Sequence, residues 1–403
     1  MQGLGLVPSN RHSVLKRTVL AALAAVLVLT AAFPVRAADP LAIDVILPLT
    51  GGAAFLGAAE RRTFEIAQTV INAQGGVRGQ PIEFVFHDDT SSPPVAVQLA
   101  TAIAARHVPI FLGSPIVANC AAIAPIVARE GPVEYCLAPI IHPVPNGYVF
   151  AAGASSADFG AVIARYFRER GLTRVAIMTA TDATGQDMDA AFDAVFARPE
   201  NRAFQIVDRE HFNPSDLDIN AQLSRIRAAN PQVLLTWTIG TPFATLLRGF
   251  RDSGFDIPLL ASNGDMLYAQ MTQFKGFLPK DMLFVGYRAS TQGDTRRGPI
   301  RDAQVPFYRA FAAAGVRPDV APITAWDPIF ITIDALRKLG PAATAAQVRD
   351  YIGSLRGWAG VNAIYDFRGG NQRGIGASEL VMDRWDAAKD DWVAVSQPGG
   401  ALR

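Results

Sequence analysis

From residue 42 onward, short, mainly apolar runs alternate with stretches whose apolar residues recur at helical spacing. The first run covers 42–47. In the stretch 57–74 that follows, Phe64, Ala67, Val70 and Ile71 share one helix face. Runs at 82–86, 108–112 and 132–137 come next, separated by helix-like stretches at 95–106 and 119–129. A strand that is apolar at nearly every position is covered on both faces. Helices of this length between such strands predict parallel pairing through right-handed crossovers. This half of the chain reads as a doubly wound α/β sheet.

The pattern then restarts. A helix is predicted over 159–170, ended by Gly171, with a strand at 174–178. Helices follow at 187–196, 217–229 and 242–252, and strands at 204–207, 233–237, 258–260 and 283–285. A third section, 301–355, carries three helical stretches and no convincing strand. The segments 363–367 and 379–395 alternate in the manner of a β-hairpin. Two Rossmann-like lobes of similar size are expected.

The N-terminus changes the picture of where these lobes reside. Arg11, Lys16 and Arg17 precede an apolar run from Val19 to Ala32, then Pro34 and the sequence Val35-Arg36-Ala37. Basic, apolar and small residues in that order describe a secretory signal peptide, 1–37, cut after Ala37. The run falls short of the ~20 residues needed to cross a bilayer. The complete chain has 37 Lys and Arg against 36 Asp and Glu. Losing the four basic residues of 1–37 leaves 33 against 36, a net charge of −3. No basic run suited to nucleic acid or to an anionic membrane remains, and no second apolar stretch is long enough for stable membrane insertion. A soluble periplasmic protein is expected.

Two cysteines occur, Cys120 and Cys136. In an oxidising compartment such a pair forms a disulfide or stays as two buried thiols. Cys-x-x-Cys spacing is absent and only His142 lies nearby, so no metal site is expected. Nor does the chain carry a Gly-x-Ser-x-Gly elbow, a phosphate-binding Gly-x-x-x-x-Gly-Lys loop or a His-Glu-x-x-His helix. An enzyme would need a dispersed catalytic set, and no cofactor is implied.

Several motifs resemble those of type I periplasmic solute-binding proteins, with the leucine/isoleucine/valine-binding branch the most similar. Leu47-Pro48-Leu49-Thr50-Gly51, followed by Gly57, resembles the family's opening strand and glycine turn. Ile71-Asn72-Ala73-Gln74-Gly75-Gly76 through Gly79 and Ile82 is similar to the signature after its first helix. Asp88-Asp89, Leu246-Leu247-Arg248 through Gly254, and Trp326-Asp327-Pro328 follow in the family's order. The resemblance spans about 40–395. It implies two lobes, 38–154 plus 289–362 and 155–288 plus 363–403, joined by three crossovers. The solute would be clamped between them at the carboxyl ends of the strands, and a membrane permease of an ABC importer would read the closed form.

The resemblance also implies a pocket. Val117 and Ile140 fall where the amino-acid-binding branch has a serine and a threonine that hold a carboxylate, and Ala138 falls at a backbone contact. Asn263 stands where an acidic residue receives the ammonium group, and Gly240 where a tyrosine lies close by. Phe55, Leu56, Trp237 and Trp326 would supply walls, and Asn119, Ser155, Ser156 and Thr241 polar contacts. A pocket lacking those hydroxyls and that acid should bind aliphatic amino acids poorly. It should favour a flat or branched carboxylic acid, or a neutral amide-bearing solute. Asp88-Asp89 reads first as a strand end capping nearby amides, and second as a direct contact. A sensor that signals to a receptor without transport is the alternative role.

Overall fold

The computed structural model describes residues 1–5, 39–293 and 295–403, so the signal-peptide expectation, 1–37, lies outside the described residues. Residues 40–403 form one compact unit. Its first part runs β1 (Leu41–Leu47), α1 (Ala54–Ala73), β2 (Ile82–Asp88), α2 (Pro93–Ala104), β3 (Ile110–Gly113), α3 (Val117–Val127), β4 (Val133–Cys136) and β5 (Val149–Ala151). The five strands are parallel, in the order β2-β1-β3-β4-β5. In β1 the residues 43–47 are all buried, as a central strand with helices on both faces requires. That includes Asp44, whose carboxylate is held by Arg106 at 2.6 Å and His87 at 2.8 Å. The face of α1 that carries Gly57, Glu60, Phe64, Ala67 and Ile71 is buried. Phe64 meets Phe84 of β2 edge-on, with ring centroids 4.9 Å apart. Gly57 is needed there, because a Cβ at that position would run into the carbonyl of Pro48.

The second part runs α4 (Ser156–Glu169), β6 (Arg174–Ala180), α5 (Ala183–Phe196), β7 (Gln205–Phe212), α6 (Asn220–Ala228), β8 (Val233–Trp237), α7 (Thr241–Asp252), β9 (Leu259–Ala261), α8 (Tyr268–Gln273) and β10 (Met282–Tyr287). The helices α9 (Pro299–Ala313), α10 (Val320–Leu339) and α11 (Ala345–Ser354) come next, and α10 packs back on α1. Arg337 donates to Gly76 O at 2.8 Å, while Arg78 donates to Arg337 O and Lys338 O. After the hairpin of β11 (Arg356–Ala359) and β12 (Ile364–Asp366), the strands β13 (Leu380–Asp386) and β14 (Asp391–Ala394) complete a seven-stranded sheet, β14-β13-β10-β9-β8-β6-β7. Only β13 runs against the others, pairing antiparallel with β10 on one side and β14 on the other.

The chain thus passes between the sheets three times: after β5, after β10 and after the β11–β12 hairpin. The third passage follows Gln372, which still bonds to the first sheet: Ala151 N–H donates to its carbonyl, and its side chain donates to Val149 O. The 362/363 boundary expected from the sequence therefore comes earlier along the chain than this last contact. Three short elements went unseen in the sequence pattern: β5, α8 and β11 have three, six and four residues, too few to show a period. The helix expected from 187 begins at Ala183, where Asp182 caps it.

Candidate ligand cleft between the sheets

Strands from both sheets end on one cavity of about 490 Å³. From the first sheet come the turn after β1 with the start of α1 (Gly52, Ala53, Phe55, Leu56), the turn after β3 with the start of α3 (Pro115, Ile116, Val117) and the turn after β4 (Leu137, Pro139, Ile140). The second sheet supplies Asp182 and Thr184 after β6, Ile239 to Pro242 after β8, and Asn263 with Gly264 after β9. Val320, Ala321 and Thr324, in the first turns of α10, also line it. Ligands of open parallel sheets bind at strand carboxyl ends, where successive connections diverge and leave a crevice.

Local chemistry sets the shape of these turns. Asp88 accepts hydrogen bonds from the amides of Leu49, Thr50 and Thr90 and from the Thr50 hydroxyl. Asp89 is buried and accepts from Ser91 N–H. Neither aspartate lines the cavity, so the acidic doublet holds turns rather than meeting a solute directly. Across the cleft, Gly240 has φ +80° and donates its N–H to Asp265 at 3.0 Å. Burial holds the Asp265 carboxyl well above the usual range. The ring of Phe55 lies 3.6 Å from where a Cβ of residue 240 would stand, so the two sides of the cleft come within ordinary contact here. Phe55 keeps 38% of its surface exposed.

Of the twelve residues expected to meet the solute, the cavity gathers Phe55, Leu56, Val117, Ile140, Thr241 and Asn263. The other six lie elsewhere, each for a definite reason. Ala138 is buried and its N–H donates to the Cys136 sulfur. Ser155 caps α4, its hydroxyl and amide engaged with Asp158. The Ser156 hydroxyl donates to Asp187. Trp237 is fully buried against Phe159, with centroids 5.8 Å apart. Trp326 packs among Phe307, Phe311 and Phe330. Asn119 is sealed in the first turn of α3, its amide without a hydrogen-bond partner among the described residues.

Cys120 of α3 and Cys136 at the end of β4 are joined in a disulfide, with α-carbons 5.9 Å apart and both residues fully buried. It pins the helix that opens with Val117 to the strand that leads to Leu137 and Ile140, all three of which line the cavity. Ser156 and His142 both bond to Asp187, not to each other. The imidazole is therefore not placed to take a proton from that serine.

The cavity also contains a residue that the sequence reading passed over. Glu60 is 1% exposed and lines the cavity, and its Oε2 has no partner among the described residues. A signal was available: Glu60 sits on the stripe Gly57, Glu60, Phe64, Ala67 and Ile71, where an acid interrupts the buried face of α1.

The sequence profile described as periplasmic binding protein matches residues 40–389. The chain belongs to that family. It is 23% identical over 245 residues to the Leu/Ile/Val-binding protein homolog 3 of Brucella melitensis, a match covering 58% of this chain and 64% of that protein. The chain thus spans just under two thirds of that relative's length. To the leucine-, isoleucine-, valine-, threonine- and alanine-binding protein of Pseudomonas aeruginosa it is 25% identical over 273 residues, covering 66% of this chain and 71% of the relative. In fold, it is similar to the crystal structure of a periplasmic binding protein type 1 from Bordetella pertussis. The TM-score is 0.76 at 22% identity, over 88% of this chain and 99% of that one. This periplasmic binding protein accordingly has the type I fold, with a parallel sheet in each of two lobes.

Proposed function

We propose that this protein is the exported solute-binding component of an ABC importer and that it performs no catalysis. It clamps one small, largely apolar solute between its lobes and presents the closed form to a membrane permease. The observation that carries this reading is the cavity itself. It is walled by turns from both sheets, with Phe55 reaching Gly240 of the opposite side. Rotation about the three connecting segments would open and close such a space without disturbing either sheet.

The lining favours an amino-acid-like or small organic solute with an apolar body. Leu56, Val117, Ile140 and Ile239 contribute hydrocarbon, and polar groups are few. By the resemblance, Val117, Ile140 and Asn263 stand where the leucine-binding branch has the side chains that hold an amino acid, and the Ala138 amide is spent on sulfur. Leucine and valine therefore bind more weakly here than a solute shaped to this lining.

A thermal-shift screen of purified protein against amino acids, aliphatic acids and aromatic acids tests the reading, followed by X-ray scattering with each stabilising solute. A solute that raises the melting temperature should also lower the radius of gyration. Stabilisation by none of them would refute this solute class. Unchanged uptake of a confirmed ligand in cells lacking the protein would favour a sensor.

A further inference from the structure

We infer that Glu60 is the anchor for a basic nitrogen on the solute, so that this protein selects small apolar amines or amino acids by their ammonium group from the first lobe. The inference rests on the reading of the cleft as a solute site and adds the charge of the solute to it.

The geometry supports it in three ways. First, Glu60 is a carboxyl group enclosed by protein yet bordering a space of about 490 Å³, with an oxygen that nothing in the described residues satisfies. A buried acceptor left unpaired is costly, and a donor brought in by a solute removes that cost. Second, the titratable groups around it are acidic. Asp89 follows β2, with one carboxylate oxygen also unpartnered; Asp182, at the head of α5, lines the same cavity. Asp319, just before α10, borders the adjoining cavity that shares Phe55 and Thr241 with this one. No Lys, Arg or His lines the solute cavity among the described residues, so nothing there offsets negative charge except what enters. Third, Phe55, Leu56, Ile116, Val117 and Ile140 contribute a hydrocarbon wall, which suits the body of an alkyl or aryl amine.

Burial, and then the neighbouring Asp89 charge, raise the Glu60 carboxyl well above its usual range, which favours its protonated form in the empty site. An arriving ammonium favours the carboxylate, so binding shifts that proton toward solvent. Binding an ammonium solute should release a proton and tighten as pH rises, by up to about tenfold per unit while Glu60 titrates.

The experiment is isothermal titration calorimetry on the mature protein with leucine, 3-methylbutylamine, which lacks the carboxylate, and 4-methylpentanoate, which lacks the amine. Each is measured in two buffers of different ionisation enthalpy. Leucine and the amine should bind with proton release, and Glu60→Gln should weaken both at least tenfold while leaving 4-methylpentanoate unchanged. Proton release by the unmutated protein needs no variant, and a melting curve of Glu60→Gln shows that it folds. Binding of 4-methylpentanoate as tight as that of the amine, or binding of the amine without proton release, would overturn the role of Glu60 and leave the solute-binding reading intact. If none of the three binds, both the inference and the proposal of this solute class fall.

Discussion

Replacing Asp327 by alanine should destabilise the protein by about 3 kcal/mol at pH 7. The residue sits in α10 with 1% of its surface exposed and holds the loop before β12. Its carboxylate accepts from Val361 N–H at 2.8 Å, Asn362 N–H at 3.1 Å and the Tyr365 hydroxyl at 2.9 Å. A buried donor stripped of its acceptor costs ~1–3 kcal/mol, so three together cost about 6. Against this stands the expense of the buried charge. Burial pushes the Asp327 carboxyl from 3.8 up to about 6. Two such units at ~1.4 kcal/mol each amount to about 3 kcal/mol, which the alanine recovers. Because the folded pKa is raised, this group's contribution is fully present below the unfolded value of ~3.9 and is lost as pH rises through 6. The deficit of Asp327→Ala should therefore be larger at pH 4 than at pH 7. Urea unfolding followed by circular dichroism at both pH values measures it. A loss under 1 kcal/mol at pH 7, or a deficit that grows with pH, would refute this account of how the β11–β12 hairpin loop is held.

The remaining expectations concern the cleft, its supports and export. Phe55→Ala should weaken binding of any confirmed solute by roughly 30-fold in calorimetry. The exposed 38% of a ring that buries about 200 Å² is worth about 2 kcal/mol at ~25 cal/mol/Å², and an unchanged Kd would place the solute elsewhere. Opening the Cys120–Cys136 bridge as a paired alanine variant should cost about 3 kcal/mol from loop-closure entropy over its 16-residue separation. Two reactive thiols in untreated native protein would contradict the bridge. The Arg373 guanidinium donates to the carbonyls of Pro139, Ile141, Gly153 and Ala154, where the chain leaves the first sheet. Arg373→Lys, which cannot reach several acceptors at once, should lower the midpoint of urea unfolding as clearly as Arg373→Met. N-terminal sequencing of periplasmic protein should begin at Ala38 or within two residues of it; an intact Met1 would refute export by cleavage.

What the sequence determined by itself was whatever depends on neighbours along the chain. Mainly apolar runs such as 42–47 and 233–237 identified strands covered on both faces, and the intervening helical stripes identified crossovers, so the doubly wound sheets were legible. The glycine turn at Gly51 to Gly57 was legible for the same reason, since close backbone approach leaves few alternatives to glycine. The tertiary structure alone decided which polar groups were already spent. Ser155 and Ser156 are hydroxyls near the cleft in sequence, but one caps α4 and the other bonds to Asp187, a partner far along the chain. Trp237 and Trp326 carry the side chains of a binding wall, yet both are consumed by aromatic neighbours from other elements. Glu60 shows the converse. Its position on a buried helical face was readable, but whether that face met another helix or an open space depended on how both lobes enclose the cleft. Hydrogen bonding and burial are settled by contacts between distant segments, and local pattern carries no record of them.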